Sequence, residues 1–240
     1  MDGCPLNRRT MFAALSPLAC ALALGAWGCH TAKLMTPDPP LRAASASLYA
    51  VDVEFDLPVE RATAEDVSRY AVHPLSSPGT SYTIASASLI DTLDARVVQL
   101  ILPDWFGDST FDHQDFTVTS DGVRNYLGSS TGQRRTVFRS GLEYATNPGD
   151  PNADGMKNFF DSHCVSCHGA AADSGNYRCD SYPALFGTGA DSTPDLIAGD
   201  PTCLLVRKCK PRNSMYNRGA MTYFDFERLR NWVEIYRARP

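Results

Sequence analysis

Tyr49–Val59 reads YAVDVEFDLPV. Val51, Val53, Phe55 and Leu57 alternate with Asp52, Glu54 and Asp56, the period-2 pattern of a strand with one apolar face and one wet face. The same texture continues outward. ARVVQLILP (95–103) and DFTVTS (115–120) are further strand candidates, and SSPG (76–79) and LGSSTG (127–132) punctuate the runs with turn chemistry. Only ATAEDVSRY (62–70) predicts a helical turn, with Ala64, Val67 and Tyr70 on one side. About seven short strands in roughly a hundred residues predict a β-sandwich over 47–146. His73 and His113 in this half are far apart in sequence and read as surface or turn residues, and the half contains no Cys.

Upstream, Arg8 and Arg9 precede MFAALSPLACALALGAWGC (11–29). A basic start, a Pro-interrupted apolar run too short for a comfortable span and a small-residue end predict an export signal over 1–28. Ala26-Trp27-Gly28-Cys29 resembles a bacterial lipobox, although Trp27 stands where a small residue is usual. The expectation is lipidation at Cys29, a Pro-rich tether over 29–46 and a place in the cell envelope, membrane-anchored through lipid only, in the periplasm or at the outer surface. A 240-residue chain with 43% apolar residues can bury a sizeable core, and a formal charge of −5 gives no reason to expect nucleic-acid binding.

After Asn147 the texture changes. NPGDPNADG (147–155) is a boundary loop, and MKNFFDSHC (156–164) places Met156, Phe159, Phe160 and Cys164 on one helical face. YFDFERLRNWVEIYRAR (223–239) does the same with Phe226, Leu229, Trp232, Val233 and Tyr236, and Thr222 with Asp225 predicts a capping box at its start. These runs predict a second, mainly α, domain over 150–240.

DSHCVSCHG (161–169) carries the chemistry. In Cys164-x-x-Cys167-His168 two thiols three residues apart can reach the two vinyl groups at one porphyrin edge, and the adjacent imidazole falls beneath the iron. The expectation is one covalent haem c, with Cys164 and Cys167 as thioethers and His168 as proximal ligand. A zinc knuckle would need four N/S ligands from Cys164, Cys167, His163 or His168 and one of Cys179, Cys203 or Cys209, with no second C-x-x-C to supply them. A thioredoxin-like redox pair would need a βαβ context, which is lacking.

Two resemblances follow. VDVEFDLPVERATAEDVSRYAV (51–72), YTIASASLI (82–90), ARVVQLILP and DFTVTSDGVRNYLG (115–128) together resemble bacterial Ig-like domains of S-layer and other envelope proteins. CVSCHG (164–169), SYPALFGTG (181–189), IAGDPTCLLVRK (197–208) and SMYNRGAMTYFDFERLRNWVE (214–234) resemble a small mono-haem class I cytochrome c domain. The two resemblances imply an all-β Ig-like sandwich followed by a mainly α cytochrome c domain. The second implies one-electron transfer with a Met as distal ligand: Met215 is preferred, and Met221 is the second choice. Cys203 departs from the Ser, and Tyr216 from the Pro, that the family carries at these positions. The alternative is a structural or ligand-binding Ig-like lipoprotein whose haem domain is a sensor with an open sixth position. No acid–base constellation, GxSxG, HExxH or nucleotide loop points to an enzyme.

Three further expectations concern the same half. Asp150, Asn152, Asp154 and Asp161 have the spacing of an EF-hand calcium loop, but Asp161 is shorter than the usual Glu and Lys157 replaces an apolar residue. A solvated linker with Asp154 capping the next helix is preferred, and calcium is the alternative. In an oxidising envelope Cys179, Cys203 and Cys209 should be paired or buried. If 203–209 is helical, Cys203 and Cys209 are separated by about 9 Å at ~1.5 Å per residue, beyond a disulfide's reach of roughly 7 Å. Cys179 is then one partner, and Cys179–Cys209 is preferred over Cys179–Cys203. Finally, Arg207, Lys208, Lys210, Arg212 and Arg218 stand with no acid between Pro201 and Phe224, which suits an acidic redox protein partner.

Overall fold

The computed structural model describes residues 41–47, 49–103, 114–144, 155–171, 174–190 and 192–240. The expected export signal 1–28, Cys29, the tether up to residue 40, His113 and the candidate calcium ligands Asp150, Asn152 and Asp154 lie outside the described residues.

Among the described residues, seven strands form two antiparallel sheets. Strands β1 (Arg42–Ser47), β2 (Ala50–Glu54), β4 (Ser86–Leu89) and β5 (Val97–Ile101) pair in the order β1-β2-β5-β4. Strands β3 (Tyr70–Pro74), β6 (Asp115–Ser120) and β7 (Arg134–Arg139) pair in the order β3-β6-β7. The alternating residues of the opening stretch explain the layering. Val51 and Val53 sit opposite Leu100 and Val98 of β5, and with Phe55, Phe116, Val118 and Phe138 they fill a fully buried apolar core. Phe116 stacks on Phe138 across β6 and β7 at 5.7 Å between ring centroids. The helical turn read between the strands is α1 (Arg61–Ala64) followed by a 3-10 turn at Val67–Arg69.

The helical segments of the second half are α2 (Met156–His163), α3 (Val165–His168), α4 (Tyr182–Leu185), α5 (Leu204–Cys209), α6 (Ser214–Arg218) and α7 (Tyr223–Glu234). α7 carries the predicted capping box, with Thr222 and Asp225 bonded reciprocally. It also buries the predicted face of Phe226, Leu229, Trp232 and Val233, with Tyr236 just beyond its end.

The expected fold class, an all-β Ig-like sandwich followed by a mainly α cytochrome c domain, is corrected here. No cytochrome-like helical domain stands apart among the described residues: the β-sheets and the helical segments belong to one compact unit, Thr36–Pro240. The sheets are its extended framework. Of the helices described, only α2 and α7 are longer than six residues. α7 does not close a helical domain of its own, because its second face lies across β1 and β2. Phe224 packs there with Ala44 and Val97.

This packing reverses two sequence expectations. Asp52 and Glu54, read as the wet face of β2, are only 1% and 7% exposed, because α7 covers them. Arg42 answers their charge: its guanidinium donates to Glu54 Oε2 at 2.7 Å and to Asp225 Oδ1 at 3.0 Å. It also lies over the Phe224 ring at 4.7 Å. The tether expected to run to residue 46 is likewise shorter. Arg42–Ser47 is a buried edge strand whose small side chains let α7 approach, and Ser45 shares a 2.5 Å hydrogen bond with the Tyr236 hydroxyl.

The buried carboxylates make stability depend on pH. Burial pushes the Asp52 carboxyl up from 3.8 to about 7, against the hydrogen bond from Gln99 and with added repulsion from Glu227. Burial also raises Glu54 and Glu227. A carboxyl raised on folding stabilises the native state only while it is protonated, so this contribution is lost as pH rises from about 4 through 7. Asp52→Asn keeps an acceptor for Gln99 and removes the cost. In urea titrations the variant should exceed the parent by about 2–4 kcal/mol at pH 8 and lose that advantage at pH 4.

Candidate functional site

α2 enters the site with its first N–H groups already satisfied: Met156 N–H donates to Glu143 O at 2.7 Å and Lys157 N–H to Tyr144 O at 2.8 Å. Its apolar face, Met156, Phe159 and Phe160, is buried as the spacing predicts. The helix continues through Cys164, whose N–H donates to Phe160 O at 2.8 Å, into the single turn of α3. Within that turn Cys167 N–H and His168 N–H both donate to Cys164 O, at 3.1 and 2.9 Å. Spacings of three and four residues bring Cys164, Cys167 and His168 to one side of the turn. The turn stops at Gly169, where a Cβ would stand 2.7 Å from Val165 O. Glycine therefore follows His168 because the backbone leaves no room for a side chain.

The imidazole of His168 is fixed by a residue that sequence reasoning did not single out. Its Nδ1 lies 3.2 Å from Tyr177 O. A carbonyl only accepts, so Nδ1 is the donor in this bond, the arrangement that leaves Nε2 for a metal in the neutral ring. Tyr177 is anchored in turn by its own hydroxyl, which donates to Leu185 O at 2.8 Å, and burial raises that hydroxyl above the ordinary tyrosine range. No side-chain motif could reveal this role, since a backbone carbonyl plays it.

These groups open into a cleft of about 360 Å³, within the range that holds an organic cofactor. Cys164, Cys167, His168, Met215 and Met221 all line it. Met215 is half-buried on α6; Met221 is 6% exposed and comes just before the α7 cap. Gly219, between them, allows close packing: a Cβ there would meet His163 O at 3.0 Å and Met215 O at 3.1 Å. The structure therefore brings both candidate Met residues to the cleft that contains the Cys-x-x-Cys-His turn. The donor set fits a haem: two thiols, one imidazole with a free nitrogen and a soft thioether sulfur.

His163 also reaches the cleft but is already engaged. Its Nδ1 donates to Gly219 O at 2.7 Å, and its Nε2 lies 3.8 Å from Asp225 Oδ2. Burial works against the charge on Asp225, yet Arg42, the Thr222 N–H and His163 hold its carboxyl below the usual range. Among the described residues no group of three or more His, Cys, Asp or Glu side chains could hold a metal ion, which leaves a four-ligand zinc knuckle unsupported. Asp161, the one candidate calcium ligand described, is instead paired at 2.5 Å with Lys157.

The expected Cys179–Cys209 disulfide is corrected as well. Cys164, Cys167, Cys179, Cys203 and Cys209 are all free thiols. α5 is helical as assumed, but the Cys179 chain is held beside α3: its N–H donates to His168 O at 2.7 Å.

The basic residues are where sequence placed them. Arg207, Lys208, Lys210, Arg212 and Arg218 are exposed, and Lys208 and Arg218 line the cleft. No helix among the described residues is long and apolar enough to cross a membrane.

No protein-family model matches the chain, and no curated protein does. Among solved structures, it is similar to domains 1–6 of the surface layer protein SbsC, at 17% identity over 42% of this chain and 13% of that one, with a TM-score of 0.36. The N-terminal part of the bacterial S-layer protein SbsC matches at 16% identity over 43% of this chain and 24% of that one, with a TM-score of 0.38. A further SbsC structure, residues 31–844, matches at 18% identity over 40% and 12%, with a TM-score of 0.34. The chain thus spans less than a quarter of the length of each of these proteins. They are S-layer structures and not cytochromes c, and at these scores the likeness carries no argument about function.

Proposed function

We propose that this protein is a one-electron carrier of the cell envelope, holding a single haem covalently through Cys164 and Cys167 with His168 as its proximal ligand. The observation that carries the reading is one turn of helix. It turns both thiols and the imidazole to the same side, toward a cleft shared with two methionines, while Tyr177 O keeps the proton on Nδ1 of His168. When bound, the group would supply an Fe(III)/Fe(II) couple, whose potential a thioether ligand would raise. The chain's own residues do the rest. Met215, with Met221 as the alternative, closes the second face of the cleft to substrate. Lys208 and Arg218 line the cleft and would offer positive charge to the group's two carboxylates. With Arg207, Lys210 and Arg212 they present a basic rim that steers an acidic redox partner. The export signal and Cys29 support placement in the envelope through a lipid anchor.

The test is spectroscopic. The chain produced in a host with haem-attachment machinery should show, when oxidised, the weak deep-red band of Met–Fe(III) ligation. Met215→Ala should abolish that band and Met221→Ala should retain it. The reverse result moves the distal ligand to Met221. Covalent haem without the band in the parent, together with tight CO binding when reduced, replaces the carrier reading with a sensor that has an open sixth position.

A further inference from the structure

The two most exposed large apolar residues among those described stand side by side, at the end of the sheets opposite the β1–β2 turn. Tyr126 and Leu127 are 63% and 70% exposed, and Leu57, on the neighbouring segment, is 40% exposed. Val59 pairs with Asn125 in an isolated antiparallel bridge, and Tyr126 N–H donates to Pro58 O at 2.9 Å. Continuing that register sets Leu57 opposite Leu127, so Leu57, Pro58, Tyr126 and Leu127 form one apolar tip. Single exposed apolar residues are ordinary, whereas a contiguous group marks a contact surface.

The tip is built rather than loose. Asn125 Oδ1 accepts from Leu127 N–H at 3.0 Å and from Ser129 N–H at 3.1 Å. Asn125 N–H donates to Ser129 O at 2.9 Å, and Gly128 N–H donates to Asn125 O at 2.8 Å. Gly128 supplies the positive φ of 78° that this turn takes. A tip fixed in this way loses little conformational freedom when something covers it.

Two observations identify the occupant. The first is where the chain enters. Arg42, at the start of β1, is paired with Glu54 at the end of β2. Leu57 follows three residues later, no more than about 11 Å along the chain. Leu41 stands twelve positions after Cys29, a stretch that reaches at most about 40 Å, so a lipid at Cys29 keeps this end within reach of its membrane. The second observation is charge. Glu60 and Arg124 are both exposed beside the tip and face each other across the bridge, where Glu60 N–H donates to Arg124 O at 2.8 Å. Leucines, a tyrosine and balanced charge suit the interface of a bilayer better than a strongly acidic or basic protein.

We propose that Leu57, Tyr126 and Leu127 dock into the membrane that holds the Cys29 lipid, as a second contact that fixes the orientation of the protein. The docking rests on the lipid-anchor reading above. The Tyr126 ring sits at the headgroup level with its hydroxyl toward water, and the two leucines enter the acyl boundary. A lipid on a short tether leaves the protein free to rotate. The second contact removes that freedom and gives the cleft a fixed presentation to its partner.

The test uses the full chain, exported so that Cys29 can be lipidated, and reconstituted into phosphatidylcholine vesicles. The host lacks haem-attachment machinery, so that haem does not quench fluorescence. Two variants, Tyr126→Trp and Tyr49→Trp, are compared after subtraction of the parent's emission. Tyr49 is exposed too, but it stands at the β1–β2 turn, a strand's length of about 17 Å from Glu54. Brominated acyl chains should reduce the emission added by Tyr126→Trp at least twofold and leave that added by Tyr49→Trp unchanged. Emission from Tyr126→Trp that is quenched by aqueous acrylamide but not by bromine places the tip in water and overturns the proposal. Quenching by neither means that protein, such as a second copy of this chain, covers the tip, and this overturns it as well. Equal bromine quenching in both variants rejects the fixed orientation. Flotation separates the two readings. A chain that floats with the vesicles while its tip stays in water rejects the docking alone, and a chain that does not float rejects the Cys29 anchor together with the docking.

Discussion

Cys164→Ser with Cys167→Ser abolishes covalent haem, leaving a chain that carries no haem through denaturing electrophoresis. Two thioethers are the only bonds that survive loss of the fold, so the effect on retention is all or none. Each single variant retains haem through one bond. His168→Ala has a different signature: attachment persists, but the iron loses its proximal imidazole, and the visible spectrum should change even though the haem stays on the chain. The combination separates the roles that one turn of helix gives to Cys164, Cys167 and His168. The serine exchange is nearly isosteric, and Cys167 is exposed, so the double variant should remain folded. Circular dichroism matching the parent's haem-free form verifies this.

Trp232→Ala is the second large effect, and it acts on stability. Trp232 is fully buried on α7. It stands edge-on to Phe160 at 5.8 Å between centroids and lies 6.5 Å from Tyr144, and its Nε1–H donates to Arg239 O at 3.1 Å. Removing the indole leaves a cavity between α7 and α2, at a cost of about 3–5 kcal/mol, while Arg239 O keeps its bond from the Tyr144 N–H. Phe160 O accepts from Cys164 N–H, so the loss is transmitted to the turn that carries the thiols. The unfolding free energy from denaturant titration should fall by that amount, and haem loading should fall with it. Trp232→Phe fills most of the cavity and should restore loading while losing only the bond to Arg239.

Much of this architecture was legible in the chain because local pattern and tertiary role agree. The alternation in Tyr49–Val59 gave β2, and DFTVTS gave β6 with matching ends. The Thr222–Asp225 box marked the start of α7, and spacing placed Phe226, Leu229 and Trp232 in the core. The site turn was legible for the same reason: Cys-x-x-Cys-His is a local motif, and its shared face follows from helix geometry.

What escaped the sequence depended on contacts between distant segments. Asp52 and Glu54 looked like solvent-facing residues because a strand's period says nothing about what covers its polar face. Here α7 does, with Arg42 pairing with Glu54 and with Asp225 of α7, and the expected separation into two domains fails at that surface. RAASAS offers no bulky apolar residue to mark β1, although small side chains are what a closely packed helix requires. Distance along α5 made Cys179 one partner of a disulfide and only favoured Cys209 as the other, whereas the hydrogen bond from the Cys179 N–H to His168 O, which holds its chain beside α3, could not be read from spacing. Tyr177 could not be found at all, since its contribution to the site is a main-chain oxygen.

The most direct measurement is the intact mass of the chain, produced in a host with haem-attachment machinery and analysed in denaturant after reduction of disulfides. A mass increased by one haem, carried by a peptide containing both Cys164 and Cys167 and absent from the double serine variant, is the predicted result. An unmodified mass, with both cysteines recovered as alkylated thiols, contradicts the account.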